Sequence, residues 1–284
     1  MPFVTLREVM AEAERGQYAV GAFNTNNMEI VQAIVEAAEE ERAPVILQAS
    51  QGALTYAGIR YITAMVRAAV ETSTVPIVLH LDHGTSFEQT MLCLKYGFTS
   101  VMFDGSKYSL PENIALTRKV ADVAHAMGAS IEGELGKIGG TEDDITVDER
   151  DALFTDPNEA EQFVLESTVD ALAVAIGTAH GPYKGVPVLD FERLAEINRR
   201  VMTPLVLHGA SGVPSESIRK AIEIGVQKIN IDTEIRQAFT RGVQQVLHDQ
   251  PNQFDPRKIL GPAKEEMKAI VKAKMRLFGS SGKA

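Results

Sequence analysis

Short apolar runs alternate with longer amphipathic stretches from one end of the chain to the other, and this alternation constrains the fold more than any other feature. The runs at residues 19–24, 45–49, 76–80, 100–104, 130–134, 171–175, 205–208 and 228–231 read as strands. Many are continuously apolar, as expected for parallel strands buried on both faces. Helical periods fill the intervals at 29–42, 59–72, 87–96, 111–127, 157–167, 191–200, 215–224 and 233–248. In the first of these, Ile30, Ala33, Ile34, Ala37 and Ala38 form one stripe with glutamates opposite. A last helix is predicted over 262–277. The pattern gives an α/β fold, a (β/α)8 TIM barrel with an additional C-terminal helix. A doubly wound open sheet is the competitor. Its Gly-x-Gly-x-x-Gly fingerprint is absent after the first strand, where the chain reads Gly21-Ala-Phe-Asn24.

The 284 residues contain no long Pro/Ser/Gly-rich linker and no solenoid repeat, so a single domain over 1–284 is expected. A net charge of −10 supplies no basic stripe for a phosphate backbone, which argues against nucleic acid as a partner. No apolar stretch is long enough to span a bilayer, and Met1-Pro-Phe-Val-Thr-Leu-Arg-Glu8 lacks a signal-peptide core. No membrane association and a cytoplasmic location are expected. The one cysteine, Cys93, sits in an apolar helical stretch and reads as buried filler in a reducing compartment.

In a parallel barrel, chemistry belongs at the C-terminal ends of the strands. His83, His180 and His208 each sit just past a predicted strand, three of only six histidines. A lone histidine there is more often a cap or a core residue. Three on one rim, each followed directly by glycine, favour a divalent metal. Imidazoles without thiolates suit Zn²⁺, with Co²⁺, Fe²⁺ or Mn²⁺ as substitutes. Asp82, Asp104, Glu132 and Glu134 reach the same rim. His80, three residues from His83, reads two ways: as a strand residue that points into the barrel and orients a neighbour, or as a further ligand. His125 and His248 read as surface or packing residues. The links His208-Gly-Ala-Ser-Gly212 and Asn230-Ile-Asp-Thr233 each lead into a helix, where glycine N–H groups and helix N-termini favour phosphate. The plainer account is that Ser211 and Asp232 only cap those helices. The acidic, glycine-hinged loop from Gly136 to about Asp151 is either a solvated tip or a lid, with Glu142 its candidate carboxylate. An open metal beside a phosphate site is equipment for carbanion chemistry on a sugar phosphate.

Further motifs extend this pattern: Tyr18-Ala-Val-Gly-Ala-Phe-Asn24, His80-Leu-Asp-His-Gly84, Gly97-Phe-Thr-Ser-Val-Met102, Glu134-Leu-Gly with Gly139-Gly-Thr-Glu-Asp-Asp144, His180-Gly-Pro-Tyr-Lys184, Leu207-His-Gly-Ala-Ser-Gly212, Lys228-Ile-Asn-Ile-Asp-Thr233 and Asp255-Pro-Arg257. In these stretches, which cover nearly the whole chain in order, it closely resembles the class II, metal-dependent ketose-bisphosphate aldolases of the bacterial fructose- and tagatose-bisphosphate group. The resemblance implies that His83, His180 and His208 bind a catalytic zinc, and that Asp104 and Glu134 take a second metal found in some members. Asp82 then handles the aldehyde oxygen, Glu142 is the mobile-loop base, and Asn230 hydrogen-bonds the charged intermediate. Substrate contacts are implied for Asn24, Ser50, Gly181, Lys184, Gly209, Ser211, Asn230, Asp232, Thr233 and Arg257. Arg257 is expected to reach in from a neighbouring subunit of a homodimer or homotetramer. A monovalent cation, Na⁺ or K⁺, is a further cofactor to expect.

The reaction so implied is reversible cleavage of fructose 1,6-bisphosphate to dihydroxyacetone phosphate and glyceraldehyde 3-phosphate, through an enediolate stabilised by zinc as Lewis acid. Tagatose 1,6-bisphosphate is the alternative substrate. A metal-free Schiff-base route needs a lysine; Lys228 is the one to suspect, although it reads as a strand-base or surface residue. A catalytically silent barrel that binds metal and sugar phosphates is the remaining reading, disfavoured by the presence of both Asp82 and Glu142.

Overall fold

The computed structural model describes residues 3–142, 145–147, 153–183 and 185–284, without the side chains of residues 141, 142 and 145–147. Eight parallel strands are β1 (Val20–Asn24), β2 (Val45–Ala49), β3 (Ile77–Gly84), β4 (Ser100–Phe103), β5 (Ser130–Leu135), β8 (Ala171–Val174), β10 (Leu205–Leu207) and β11 (Val226–Ile231). They close in the order β1-β11-β10-β8-β5-β4-β3-β2, which makes the predicted barrel. The remaining strands, β6 (Gly139–Glu142), β7 (Ile145–Val147) and β9 (Ala179–His180), form a separate ribbon in the order β7-β6-β9.

The predicted helices are present as α2 (Met28–Glu41), α4 (Ile59–Thr72), α5 (Phe87–Lys95), α6 (Leu110–Ala126), α7 (Pro157–Ser167), α8 (Phe191–Arg200), α9 (Ser215–Ile224), α10 (Thr233–Asp249) and α11 (Pro256–Phe278). Their starts follow side-chain chemistry. Asn27, Ser86, Asp156 and Asp190 each accept a backbone N–H from the first turn that follows them. The last helix begins earlier than its predicted start at 262. Asp255 caps it and Pro256 takes its first position, leaving Pro262 inside. No helix among the described residues is long and apolar enough to cross a membrane.

Among the described residues, two helices lie outside those predictions. One is α3 (Gln51–Ala57), capped by Ser50 Oγ, which accepts from Ala53 N at 3.3 Å. The other is α1 (Leu6–Gly16), opened by a Thr5/Glu8 capping box. Its buried Leu6, Val9, Met10 and Ala13 pack with Val20, Ala22, Ile46, Val78, Ala171, Ala173 and Val206, so α1 plugs the N-terminal end of the barrel. Full burial of Leu6 and Met10 is worth about 1.5–3 kcal/mol each. A larger apolar layer, including Phe23, Leu47, Leu79 and Ile229, packs with the surrounding helices. Along β3, Ile77, Leu79 and Leu81 belong to that outer layer while Val78 belongs to the inner one. This two-residue period directs His80 and Asp82 inward.

Candidate metal centre and substrate cavity

His83 depends on a break in that period. A regular strand cannot direct consecutive residues to one face, yet Asp82 and His83 both meet the rim cluster. The register between β3 and β4 shifts between Leu81 and Gly84, and His83 has φ 48°. Such an irregularity re-aims a side chain, and a left-handed non-glycine residue carries a conformational cost. β3 therefore continues to Gly84 rather than ending at His80, and His83 lies within it rather than past it.

His180 lies past β8, as expected, but on a short strand of its own. That strand is β9, whose Ala179 and His180 pair with Gly139 and Gly140 of β6. Even so, the three histidines converge. Ring centroids are 5.0 Å apart for His83 and His180, 4.8 Å for His83 and His208, and 6.0 Å for His180 and His208. One ring nitrogen from each lies within 4.8 Å of those of the other two. His208 Nδ1 is 2.9 Å from His83 Nε2, near the spacing of about 3.3 Å that two nitrogens take around tetrahedral zinc. Burial pushes the His208 imidazole down to about 4, with His83 and Lys228 adding to the shift against the hydrogen bond to Glu132. It is thus neutral at ordinary pH, the form that binds metal. The donor set fits a divalent ion.

His83 also faces a second acidic group. Its Nδ1 lies 3.3 Å from Asp104 Oδ2 and 3.9 Å from Glu134 Oε2. Burial alone would raise the Asp104 carboxyl, but hydrogen bonds with His83 and Ser106 hold it well below the usual range. Asp82, fully buried, accepts from Asn24 Nδ2 at 2.8 Å, Gln48 Nε2 at 3.0 Å and Asn230 Nδ2 at 3.3 Å. Three amides therefore orient one carboxylate beside the imidazoles.

A cavity of about 510 Å³ opens beside them, lined by Asn24, His180, Gly181, Gly209, Ser211, Asn230, Asp232 and Thr233 among others. Ser211 Oγ and Asn230 Oδ1 are buried without a hydrogen-bond partner among the described residues, as expected of groups that await a ligand. Neither suspected cap is one. Pro214 holds the N-cap position of α9, and the Asp232 side chain accepts from Arg236 Nε at 2.8 Å instead of capping α10. Ser50 and Arg257 do not line this cavity. Arg257 is exposed and pairs with Asp255 at 2.8 Å. Lys184 and the Glu142 side chain lie outside the described residues.

Sequence reasoning missed several neighbours. Gln48 follows Ile46 by one strand period, which was the signal available. Arg236, Gln237, Thr240 and Arg241 line the outer cavity from one face of α10, at helical spacing. Lys228 is neither a strand-base nor a surface residue; it is fully buried and lies 2.9 Å from Glu132. His80 points into the barrel as expected, with Nδ1 2.8 Å from Ser100 Oγ, and is not among the convergent ligands.

The family model for class-II fructose-bisphosphate aldolases matches residues 4–283. The chain is 48% identical to a fructose-bisphosphate aldolase of Geobacillus stearothermophilus, over 100% of this chain and 99% of that one. It is also 48% identical to the Thermus caldophilus fructose-bisphosphate aldolase, covering 99% of each chain. Among solved structures, the YdjI aldolase of Escherichia coli K12 is 34% identical and superposes with a TM-score of 0.88 over 99% of both chains.

Proposed function

Because the chain belongs to the class-II fructose-bisphosphate aldolase family, a group of metal-dependent carbon–carbon lyases, we propose that it cleaves and forms fructose 1,6-bisphosphate at the three-histidine rim. The observation that carries this reading is the convergence of His83, His180 and His208 beside a cavity walled by Gly181, Gly209, Ser211, Asn230, Asp232 and Thr233. The three histidines would hold the metal, with zinc the preferred ion on their nitrogen-only chemistry. Asp104 and Glu134, on the other side of His83, would hold a second cation.

When bound, the metal supplies a Lewis acid for the negative charge that develops on the oxygens of the dihydroxyacetone phosphate half. The chain's own residues do the rest. Glycine N–H groups, Ser211 and the N-terminus of α10 bind that half's phosphate. In the cleavage direction Asp82, oriented by Asn24, Gln48 and Asn230, takes the proton of the C4 hydroxyl as the C3–C4 bond breaks. Glu142 returns a proton to C3 once the ribbon has closed over the site and excluded water. Asn230 hydrogen-bonds the charged intermediate. Lys184 contacts substrate. Ser50 and Arg257 bind the other phosphate, Arg257 across the interface of a homo-oligomer. The cytoplasm is the compartment we assign, where phosphorylated sugars are available and a buried free thiol such as Cys93 stays reduced.

The test is kcat/KM for fructose and tagatose 1,6-bisphosphates, measured on the metal-loaded chain and on a His180→Ala variant. The fructose substrate should be preferred and the variant should lose turnover. A preference for the tagatose epimer, or wild-type turnover in the variant, contradicts this reading.

A further inference from the structure

Beneath the rim, the side chains of His80, Glu132 and Lys228 lie in the barrel interior with no solvent exposure. Glu132 stands between the other two. Its Oε2 lies 2.9 Å from Lys228 Nζ and 3.5 Å from His80 Nε2. Its Oε1 pairs with His208 Nε2 at 2.8 Å. A buried lysine–glutamate pair is costly to desolvate, and apolar side chains of similar volume often stabilise a core as well or better. Stability alone is therefore a poor reason for its presence. The contact with His208 supplies another.

We propose that Lys228 is a positioning residue for the metal centre, anchoring the Glu132 carboxylate so that Glu132 fixes the ring and the tautomer of His208. With its Nε2–H donated to Glu132, His208 presents the Nδ1 lone pair toward His83 Nε2, 2.9 Å away. An imidazole whose other nitrogen donates to a carboxylate is both oriented and more basic as a ligand. Lys228 and His208 pair with different oxygens of the same Glu132 carboxylate. The same arrangement gives Lys228 a use without a Schiff base. Ser100, through His80, supports the far side of the cluster. The inference rests on the reading that His83, His180 and His208 hold the metal.

The test titrates the chelator-stripped full-length chain with Co²⁺, recording affinity against a competing chelator and the visible ligand-field absorption. The variants are Lys228→Met, Glu132→Gln and the double variant, each checked for folding by circular dichroism. Each single change should weaken Co²⁺ binding about 10–100-fold and alter the absorption bands. The double variant should bind no more weakly than Glu132→Gln alone, because Lys228 acts through Glu132. Lys228→Gln, which keeps a polar group in place, is the second variant should Lys228→Met not fold. Wild-type affinity and spectrum in a folded Lys228 variant, or effects that add in the double variant, overturn the proposal. A wild-type chain that takes up no Co²⁺ is a different result, and it overturns the metal reading itself.

Discussion

Gly140 lies so close to His180 that a Cβ on it would stand 2.1 Å from the His180 carbonyl oxygen. Gly140 has φ 97°, a conformation that side chains rarely adopt. A Cβ on Gly209, at φ 62°, would likewise stand 2.5 Å from the Ala179 carbonyl oxygen. Two glycine backbones thus pack closely against the short strand that carries His180. One belongs to the ribbon that carries Glu142, the other to the loop after β10.

Gly140→Ala should displace His180 and weaken metal binding while leaving the barrel folded. Metal retained after gel filtration should fall by at least tenfold, with Tm changed by only a few degrees, since the ribbon lies outside the barrel sheet. Full metal content in the variant would mean that the ribbon does not position His180.

Gln48→Leu tests the orientation of Asp82. Gln48 Nε2 bonds both Asn24 Oδ1 at 2.6 Å and Asp82 Oδ2 at 3.0 Å. Leucine keeps the volume and removes the donor. Leaving a buried carboxylate one hydrogen bond short costs about 1–3 kcal/mol. If Asp82 is the acid–base group for the C4 hydroxyl, kcat should fall about 10–100-fold with KM changed much less. A change confined to KM would move Asp82 out of proton transfer.

Acid should destabilise the metal-free chain well above the usual carboxylate range. Burial lowers the His208 imidazole to about 4 and, with the Lys228 ammonium adding to the effect, pushes His80 well below its ordinary 6.5. Between pH 6.5 and about 4 the unfolded chain therefore binds more protons than the folded one. Stability is lost as pH falls through that window, with a slope approaching about 1.4 kcal/mol per pH unit for each group. Denaturant midpoints of the chelator-treated chain should drop between pH 6.5 and 5, and His80→Asn should flatten the slope. An unchanged slope in that variant would show that His80 does not contribute.

The barrel was legible because its signals are local. Residues 45–49, 59–72, 157–167 and 215–224 carry their own apolar period and their own ends, and all four form as read. The misses need information from distant parts of the chain. Nothing around Leu81–Gly84 announces the shift that turns His83 inward, since it arises from pairing with β4. The strand at His180 exists only because β6 lies beside it. Burial of Lys228 follows from Glu132, 96 positions away and three strands round the barrel. The plug helix α1 is different: Thr5-Leu-Arg-Glu8 is a complete capping box followed by apolar residues, so that signal was present locally and went unread.

Fructose 1,6-bisphosphate cleavage, followed as zinc is returned stepwise to chelator-stripped protein, tests the account most directly. The stripped chain should be inactive, and the rate should climb in proportion to added zinc. His208→Ala should stay inactive at every zinc level that restores the wild type. Turnover that survives complete stripping, or a His208→Ala variant that recovers alongside the wild type, would contradict the account at its centre.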